Sequence, residues 1–164
     1  GQHAYPANSA KHNPERGRWW LVGHVNKRSG KLTVLFCDLG VGIPQTLPKR
    51  YPMEVILATL AYLQGMRPND GEMIQAGMTI GRTRTMLENR GKGLNDLRRF
   101  VDEAGEGELH IFSRKGHYLY EAGGHEKLRN INHSIGGTLI QWTVPLAKVS
   151  NWSIEVGSEE DETD

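Results

Sequence analysis

The segment Cys37–Pro44 constrains this chain more than any other part of its sequence. It follows a β-prone apolar stretch and places a carboxylate, two glycines and a proline in close succession, which predicts a strand end. Asp38 is suited to accept a hydrogen bond from an exocyclic amine such as that of adenine. Gly40 and Gly42 let the backbone approach a ligand with no Cβ in the way. An ordinary strand-to-loop turn has the same composition, so the segment alone leaves both interpretations open.

A second glycine-rich segment, Asn89–Leu94, precedes a stretch of apolar residues at helical spacing, which predicts an amphipathic helix over 94–104. Glycines at 91 and 93 expose backbone N–H groups at the helix start, where the helix dipole also favours a phosphate. Four bases lie in or beside this loop and are able to add charge-assisted bonds: Arg82, Arg84, Arg90 and Lys92. A flexible, solvated basic loop is the alternative interpretation.

Alternating and continuous apolar stretches predict several β-strands. They are Trp19–Val25, Lys31–Cys37, Leu109–Ser113, Tyr118–Glu121 and Thr138–Leu146. Turn residues at 26–30 and at 114–116 predict two hairpins, and Gly136 and Gly137 lead into the last strand. Of the adjacent Trp19 and Trp20, one is expected in the core and the other at the surface.

Helices are predicted over 53–63, which is apolar almost all round, and over 71–78, where Asp70 is a possible cap. Residues 79–92 lack periodicity and are predicted to be a mobile loop. The order of elements predicts an α+β sandwich, with one mostly antiparallel sheet and helices on one face.

The charge of the chain is unevenly distributed. Its net charge is +1, yet six of the last ten residues are acidic, so the rest of the chain is basic. A basic body suits a polyanion, either nucleotide phosphate or nucleic acid. We therefore divide the chain into a body over 1–150 and an acidic tail over 151–164, which composition predicts to be disordered.

Composition also bears on the cellular setting. The one cysteine cannot form an internal disulfide, which favours a reducing, cytoplasmic compartment. No apolar run approaches the roughly 20 residues of a membrane helix, and the first residues do not have a signal-peptide pattern. The seven histidines have no tight ligand spacing, so no metal site is predicted from them.

The order of three motifs is more specific than any one of them. The first is the Asp-x-Gly-x-Gly-Ile segment at 38–43, the second is Gly-x-Gly-Leu at 91–94, and the third is Gly-Gly-Thr at 136–138. This order, over about residues 1–146, resembles the GHKL ATPase superfamily of sensor histidine kinases, type II topoisomerase ATPase domains, MutL and Hsp-type chaperones. The resemblance implies a Bergerat fold, a two-layer sandwich with a mixed, mostly antiparallel sheet.

By position, the resemblance assigns Asp38 as the acceptor of the adenine amine and Thr138 as its support. It assigns Gly40 and Gly42 to a first glycine box, with Ile43 packing near the base. It implies that residues 79–92 form an ATP lid that carries Arg82, Arg84 and Arg90. A second glycine box over the phosphates then consists of Gly91, Lys92, Gly93 and Leu94.

The resemblance further implies ATP and Mg²⁺ as ligands, with hydrolysis or transfer of the γ-phosphate. The family's Mg²⁺-binding asparagine and catalytic glutamate would precede Gly1, so no catalytic residue is assigned and we expect an incomplete domain. Asn95 stands where many members have a third glycine. A protein partner or phospho-acceptor and a dimer are possible for such a domain. The alternatives are a nucleic-acid-binding module and a catalytically inactive protein-interaction module.

Overall fold

A computed structural model of the chain describes residues 17–63, 65–83 and 93–149, without the side chains of 81–83 and 93–96. Its strands are β1 (Trp19–Asn26), β2 (Lys31–Asp38), β3 (Glu108–Glu121) and β4 (His125–Pro145). Its helices are α1 (Ile43–Arg50), α2 (Met53–Thr59), α3 (Asp70–Thr83), α4 (Gly93–Ala104) and α5 (Leu146–Val149). The strands form one open sheet in the order β1-β2-β4-β3.

The predicted α+β class is confirmed. Within the described ranges every strand pairing is antiparallel, so the parallel pair of a mixed sheet is not present there. The main core lies between the sheet and α3 and α4, where Ile74 and Val101 pack against Leu109, Tyr118 and other residues of β3 and β4. No helix of the described part of the chain has the length and apolar character that a bilayer crossing needs.

The strand β3 runs unbroken through the residues for which the sequence predicts a hairpin turn. That prediction was wrong because the pairing with β4 continues through 114–116 as an irregularity, with Arg114 at a φ of 55°. The irregularity shifts the inward alternation of β3 by one residue, so that Ser113 and Gly116 are both buried although they are three positions apart. The actual turn follows at Gly123 and Gly124, whose φ values of 94° and 96° suit glycine.

The strand β4 is much longer than the predicted strand Thr138–Leu146. Its second half lies between β2 and β3 and is apolar, which is why the sequence indicates a strand there. Its first half pairs only with β3 and is mostly exposed and polar. Such a half-exposed stretch lacks the apolar run from which a strand is predicted.

The helices also depart from the prediction over 53–63. Only α2 lies in this region, and it ends at Thr59; a separate helix, α1, precedes it and ends at Arg50, before Pro52. The helix α1 is hardly indicated by its sequence, since it contains Pro44 and Pro48, yet a proline in the first turn is compatible with a helix. Leu47 of α1 and Ile56 of α2 form a second core cluster with α3.

The helix α3 is longer than predicted, so the prediction of a loop was wrong for residues 79–83. The helical stripe of Met73, Ala76 and Ile80 continues into that stretch and is buried in the second cluster. Residues 84–92 of the predicted loop lie outside the described residues.

The cap of α3 is Asn69 rather than the predicted Asp70. The Asn69 side chain accepts a hydrogen bond from the Glu72 N–H at 3.1 Å, and the Glu72 carboxylate accepts one from the Asn69 N–H at 2.6 Å. These reciprocal bonds satisfy two backbone donors in the arrangement of a capping box.

The strand β1 forms one edge of the sheet and is exposed along its whole length. Trp19 and Trp20 are 61% and 40% exposed, so the prediction that one of them lies in the core was wrong. Trp19 stacks on Phe36 of β2, with the ring centroids 5.9 Å apart, on the face that bears the helices.

An ion pair between a buried arginine and a partly exposed glutamate links α4 to the β3–β4 hairpin. Arg98 Nη2 lies 2.8 Å from Glu126 Oε1, and the guanidinium also lies over the rings of Tyr118 and Tyr120. Gln75 of α3 donates to the same carboxylate at 3.0 Å. Burial raises the pKa of Tyr120 to about 12, with a contribution from its hydrogen bond to the α4 residue Asp102.

Replacing Glu126 by Gln should lower the free energy of unfolding by about 2 kcal/mol, because it leaves the Arg98 charge uncompensated in the core. This expected loss of stability is smaller than the loss for a fully buried ion pair, because the Glu126 side chain is 25% exposed. The matched control is Glu103→Gln, which breaks the Arg99–Glu103 pair, whose side chains are 73% and 47% exposed. Denaturant unfolding should show a loss below about 0.5 kcal/mol for the control; equal losses would contradict a structural role for the buried pair.

Candidate functional site

The end of β2 brings the first and third sequence motifs together. Asp38 is the last residue of β2, and its direct partner across the sheet is Thr138 of β4. Its Oδ1 accepts the Gly40 N–H at 2.7 Å, which fixes the orientation of the carboxylate. A carboxylate has about four acceptor positions, so this bond leaves capacity to accept from a ligand.

One serine side chain joins three segments around this point. The Ser113 hydroxyl accepts the Ile43 N–H at 2.9 Å, at the start of α1. Its oxygen also lies 3.1 Å from the Gly137 carbonyl oxygen and 3.1 Å from Thr138 Oγ1, so its single proton serves one of these acceptors. Ser113 is fully buried. Ser113 therefore joins three segments: the turn at Gly42 and Ile43, the strand β3, and β4 at Gly137 and Thr138. We call this arrangement the Ser113 junction.

Sequence reasoning did not find Ser113. A single serine between apolar residues of a strand belongs to no motif, and its role depends on a register that the sequence does not show. The one available signal is its place in the inward alternation of Leu109, Ile111 and Ser113, where a buried hydroxyl needs a hydrogen-bond partner.

The glycines near the junction have steric roles. Gly42 has a φ of 87°, and a Cβ built there lies 2.8 Å from Ser113 Oγ. Gly137 has a φ of 111°, and a Cβ built there overlaps the Asp38 carbonyl oxygen. Both positions combine a left-handed backbone with a close approach, so only glycine lets the segments meet this closely.

Cys37 precedes the site residue Asp38. Burial raises the pKa of its thiol, and the neighbouring Asp38 carboxylate raises that pKa further. A thiol with a raised pKa is mostly protonated near neutral pH and is therefore a poor nucleophile.

The second glycine segment is described only in part. Gly93 is the first residue of α4 and Leu94 follows it in the same helix, while Arg82 lies in the last turn of α3; the side chains of Arg82 and Leu94 are not described. The residues Arg84, Arg90, Gly91 and Lys92 lie outside the described residues. The structure thus brings together Asp38, Gly40, Gly42, Ile43 and Thr138, and it does not describe how the second group stands relative to them.

A cleft of about 900 Å³ opens beside α1 and is separate from this junction. Pro44 and Pro48 of α1 form part of its lining, and Leu57 of α2 and Met73 of α3 form its buried floor. None of the predicted site residues lines it. The sequence analysis did not predict this cleft.

In the described part of the chain, no group of three or more His, Cys, Asp or Glu side chains is arranged to hold a metal ion. The closest imidazoles are those of His110 and His117, with 3.0 Å between His110 Nδ1 and His117 Nε2. Burial lowers the pKa of His117, and the nearby His110 and Arg129 lower it further. The pair is stacked with Phe112 on the sheet face that does not carry the helices.

Comparison with known proteins adds no family assignment. No protein-family model matches the chain, and a search of curated proteins gives no significant match.

The substitution Gly137→Ala should destabilise the fold by more than about 2 kcal/mol, because the added Cβ meets the Asp38 backbone and the φ is unfavourable for alanine. The matched control is Gly136→Ala, where a Cβ has open space around it and should change stability by less than about 0.5 kcal/mol. Thermal or denaturant unfolding of the two variants measures the difference. Equal stability of the two variants would contradict the close contact between Gly137 of β4 and the Asp38 backbone of β2.

Proposed function

We propose that this chain binds ATP at the Ser113 junction, with Asp38 as the residue that recognises adenine. The observation that carries the proposal is the convergence of Asp38, the Gly42–Ile43 turn and Thr138, three features that are distant in sequence. Their motifs resemble those of the GHKL superfamily, and the antiparallel sheet with helices packed on it is compatible with that two-layer architecture.

In this proposal the exocyclic amine of adenine donates a hydrogen bond to the Asp38 carboxylate. The bond from the Gly40 N–H holds the carboxylate in place before the ligand arrives, which lowers the entropic cost of binding. Thr138 Oγ1 lies on the same face of the sheet as Asp38, since the two residues are direct cross-strand partners. It is the nearest hydroxyl of the junction that can support the base, directly or through water.

The phosphates are assigned to the N-terminus of α4. This helix has 12 residues and begins at Gly93, so its first backbone N–H groups and its dipole favour an anion. In the proposal the bases Arg82, Arg84, Arg90 and Lys92 add charge-assisted hydrogen bonds to the phosphates.

The proposal extends to nucleotide binding and no further. Among the described residues no carboxylate cluster fits a Mg²⁺ ion, which is held mainly by oxygen ligands. Hydrolysis or transfer of the γ-phosphate, with Mg²⁺, stays an expectation from the resemblance.

The test is a calorimetric titration of ATP and of ITP, in which inosine replaces the exocyclic amine by an oxygen. The wild-type chain should bind ATP, and Asp38→Asn should weaken that binding about ten-fold to a hundred-fold, because one charge-assisted hydrogen bond is lost. ITP should bind the wild type more weakly than ATP does, for the same reason.

The matched control is Asp102→Asn on α4, which removes an equal charge away from the junction and keeps an oxygen that can accept from Tyr120. It should bind ATP like the wild type. Recognition of adenine by Asp38 would be contradicted if wild type and Asp38→Asn bound ATP with equal affinity. It would also be contradicted if the wild type bound ATP and ITP with equal affinity.

A further inference from the structure

The strand β1 is an edge strand without the features that usually protect a sheet edge from pairing. It bonds to β2 on one side, and no strand of the described part of the chain lies on its other side. Natural edges are usually protected by charged residues, prolines or bulges. The eight residues of β1 include no Asp, Glu, Lys, Arg or Pro, and their pairing with β2 is regular throughout. The outer backbone groups of β1 are therefore open to a further strand.

Large apolar side chains are exposed on both faces of β1. Trp19 and Leu21 are 61% and 59% exposed on the face that bears the helices, where both lie beside Phe36. Trp20 and Val22 are 40% and 56% exposed on the opposite face, since successive residues of a strand alternate. Within the described ranges, no other strand has a large apolar side chain with such exposure. A partner that suits β1 therefore offers a strand edge and apolar side chains on both of its faces.

The two ends of the chain do not meet both requirements. Residues 1–16 contain no Val, Ile, Leu, Met, Phe or Trp. In the C-terminal sequence Trp152, Ile154 and Val156 alternate with Ser153 and Glu155. A strand of that sequence is apolar on one face only, and its polar face would lie beside the apolar side chains of one face of β1.

A second copy of β1 meets both requirements. Two identical edges pair antiparallel about a two-fold axis, so each copy offers the same groups to the other. Apolar side chains of the two strands then lie side by side on both faces of the joined sheet. The exposed parts of Trp19, Trp20, Leu21, Val22 and Val25 amount to roughly 500 Å² in each copy. Two copies therefore bury at most roughly 1,000 Å² of this surface, the lower limit for a specific interface.

The charges next to β1 along the chain are mostly positive. Arg18 precedes the strand, and Lys27 and Arg28 follow it. Asp38, across the sheet from Trp19, is the one acid of residues 17–38. Antiparallel pairing brings the bases at the two ends of β1 towards each other, and this repulsion weakens the association. Salt screens such exposed charges, so a dimer of this kind is retained or strengthened by salt, whereas binding of a polyanion to the same bases is weakened.

We propose that two copies of this chain associate through their β1 strands. The two four-stranded sheets join into one sheet, with main-chain hydrogen bonds across the shared edge. The tryptophans and aliphatic side chains of both copies lie beside this edge. The proposal does not depend on nucleotide binding, because no residue of the Ser113 junction belongs to β1.

The experiment follows the full chain by sedimentation equilibrium and by NMR of the tryptophan indole groups. For an interface of this size we expect a dissociation constant of about 10–100 μM, so the protein is studied from about 5 to 500 μM. The indole signals of Trp19 and Trp20 should shift with protein concentration. The signal of Trp142 is the internal reference, because its indole N–H donates to the Leu97 carbonyl oxygen of the same chain at 3.1 Å.

The matched variants are Val22→Lys and Val55→Lys. Val22 lies near the centre of β1 and is 56% exposed, and Val55 lies on α2 and is 43% exposed. A lysine on an edge strand opposes pairing, so Val22→Lys should weaken the dimer at least about ten-fold. Val55→Lys should leave it unchanged. Thermal unfolding of both variants should stay close to that of the wild type, since both positions are exposed.

The proposal is supported by a dimer that persists from about 0.05 to 0.5 M NaCl and that Val22→Lys weakens selectively. A chain that stays monomeric at about 500 μM overturns it. A dimer that dissociates in salt, or equal dimerisation of the two variants, also overturns it. So do indole signals of Trp19 and Trp20 that ignore concentration but change in Ile154→Ser, which would assign the edge to the C-terminal residues of the same chain.

Discussion

The arrangement of the candidate site depends on the hydrogen bonds of one buried hydroxyl. Ser113 Oγ accepts the first amide of α1, at Ile43, and lies within hydrogen-bond distance of both Gly137 and Thr138. Leaving a buried backbone N–H without its acceptor lowers stability by about 1–3 kcal/mol. This hydrogen bond therefore stabilises the observed position of the turn after Asp38. Because the glycine turn and β4 meet at the same oxygen, the positions of Asp38 and Thr138 are set together rather than separately.

The irregularity in β3 shifts the inward-facing positions by one residue beyond Ser113. In a regular strand, residues on one face are two apart, and Ser113 and Gly116 would lie on opposite faces. The irregularity places both on the core side, where Gly116 packs directly against the backbone of Asp70 at the start of α3. The strand β3 thus carries Ser113 and also contacts α3, the helix that forms one wall of the cleft. Pro44 of α1 lines the cleft, and the preceding residue Ile43 is held by Ser113.

The sequence predicts those helices and strands in which buried apolar residues recur at a regular spacing. The α4 helix was predicted nearly to the residue because its apolar positions repeat at helical spacing, and β1 and β2 were predicted because of their apolar runs. It also predicts that Asp38 and Thr138 belong to one site, although only through the order of glycine motifs.

What the sequence could not show are features that depend on pairing. The turn-like residues 114–116 form an irregularity because β4 continues alongside them, and the polar first half of β4 becomes a strand because β3 is its partner. Ser113 has its role only in the resulting register. The cleft arises from three helices, of which α1 was not predicted and α2 and α3 were predicted with incorrect bounds, so no sequence pattern pointed to it.

Amide hydrogen exchange at Ile43, followed by NMR in the wild-type chain and in Ser113→Ala, tests whether the Ser113 hydroxyl holds the glycine turn. We predict that the Ile43 amide is protected in the wild type and exchanges at least about ten-fold faster in the variant, since its acceptor is removed. The amide of Leu60, which bonds to Ile56 and Leu57 in the second core cluster, should exchange at the same rate in both proteins. An unchanged rate at Ile43 would contradict the claim that the Ser113 hydroxyl holds the glycine turn in place.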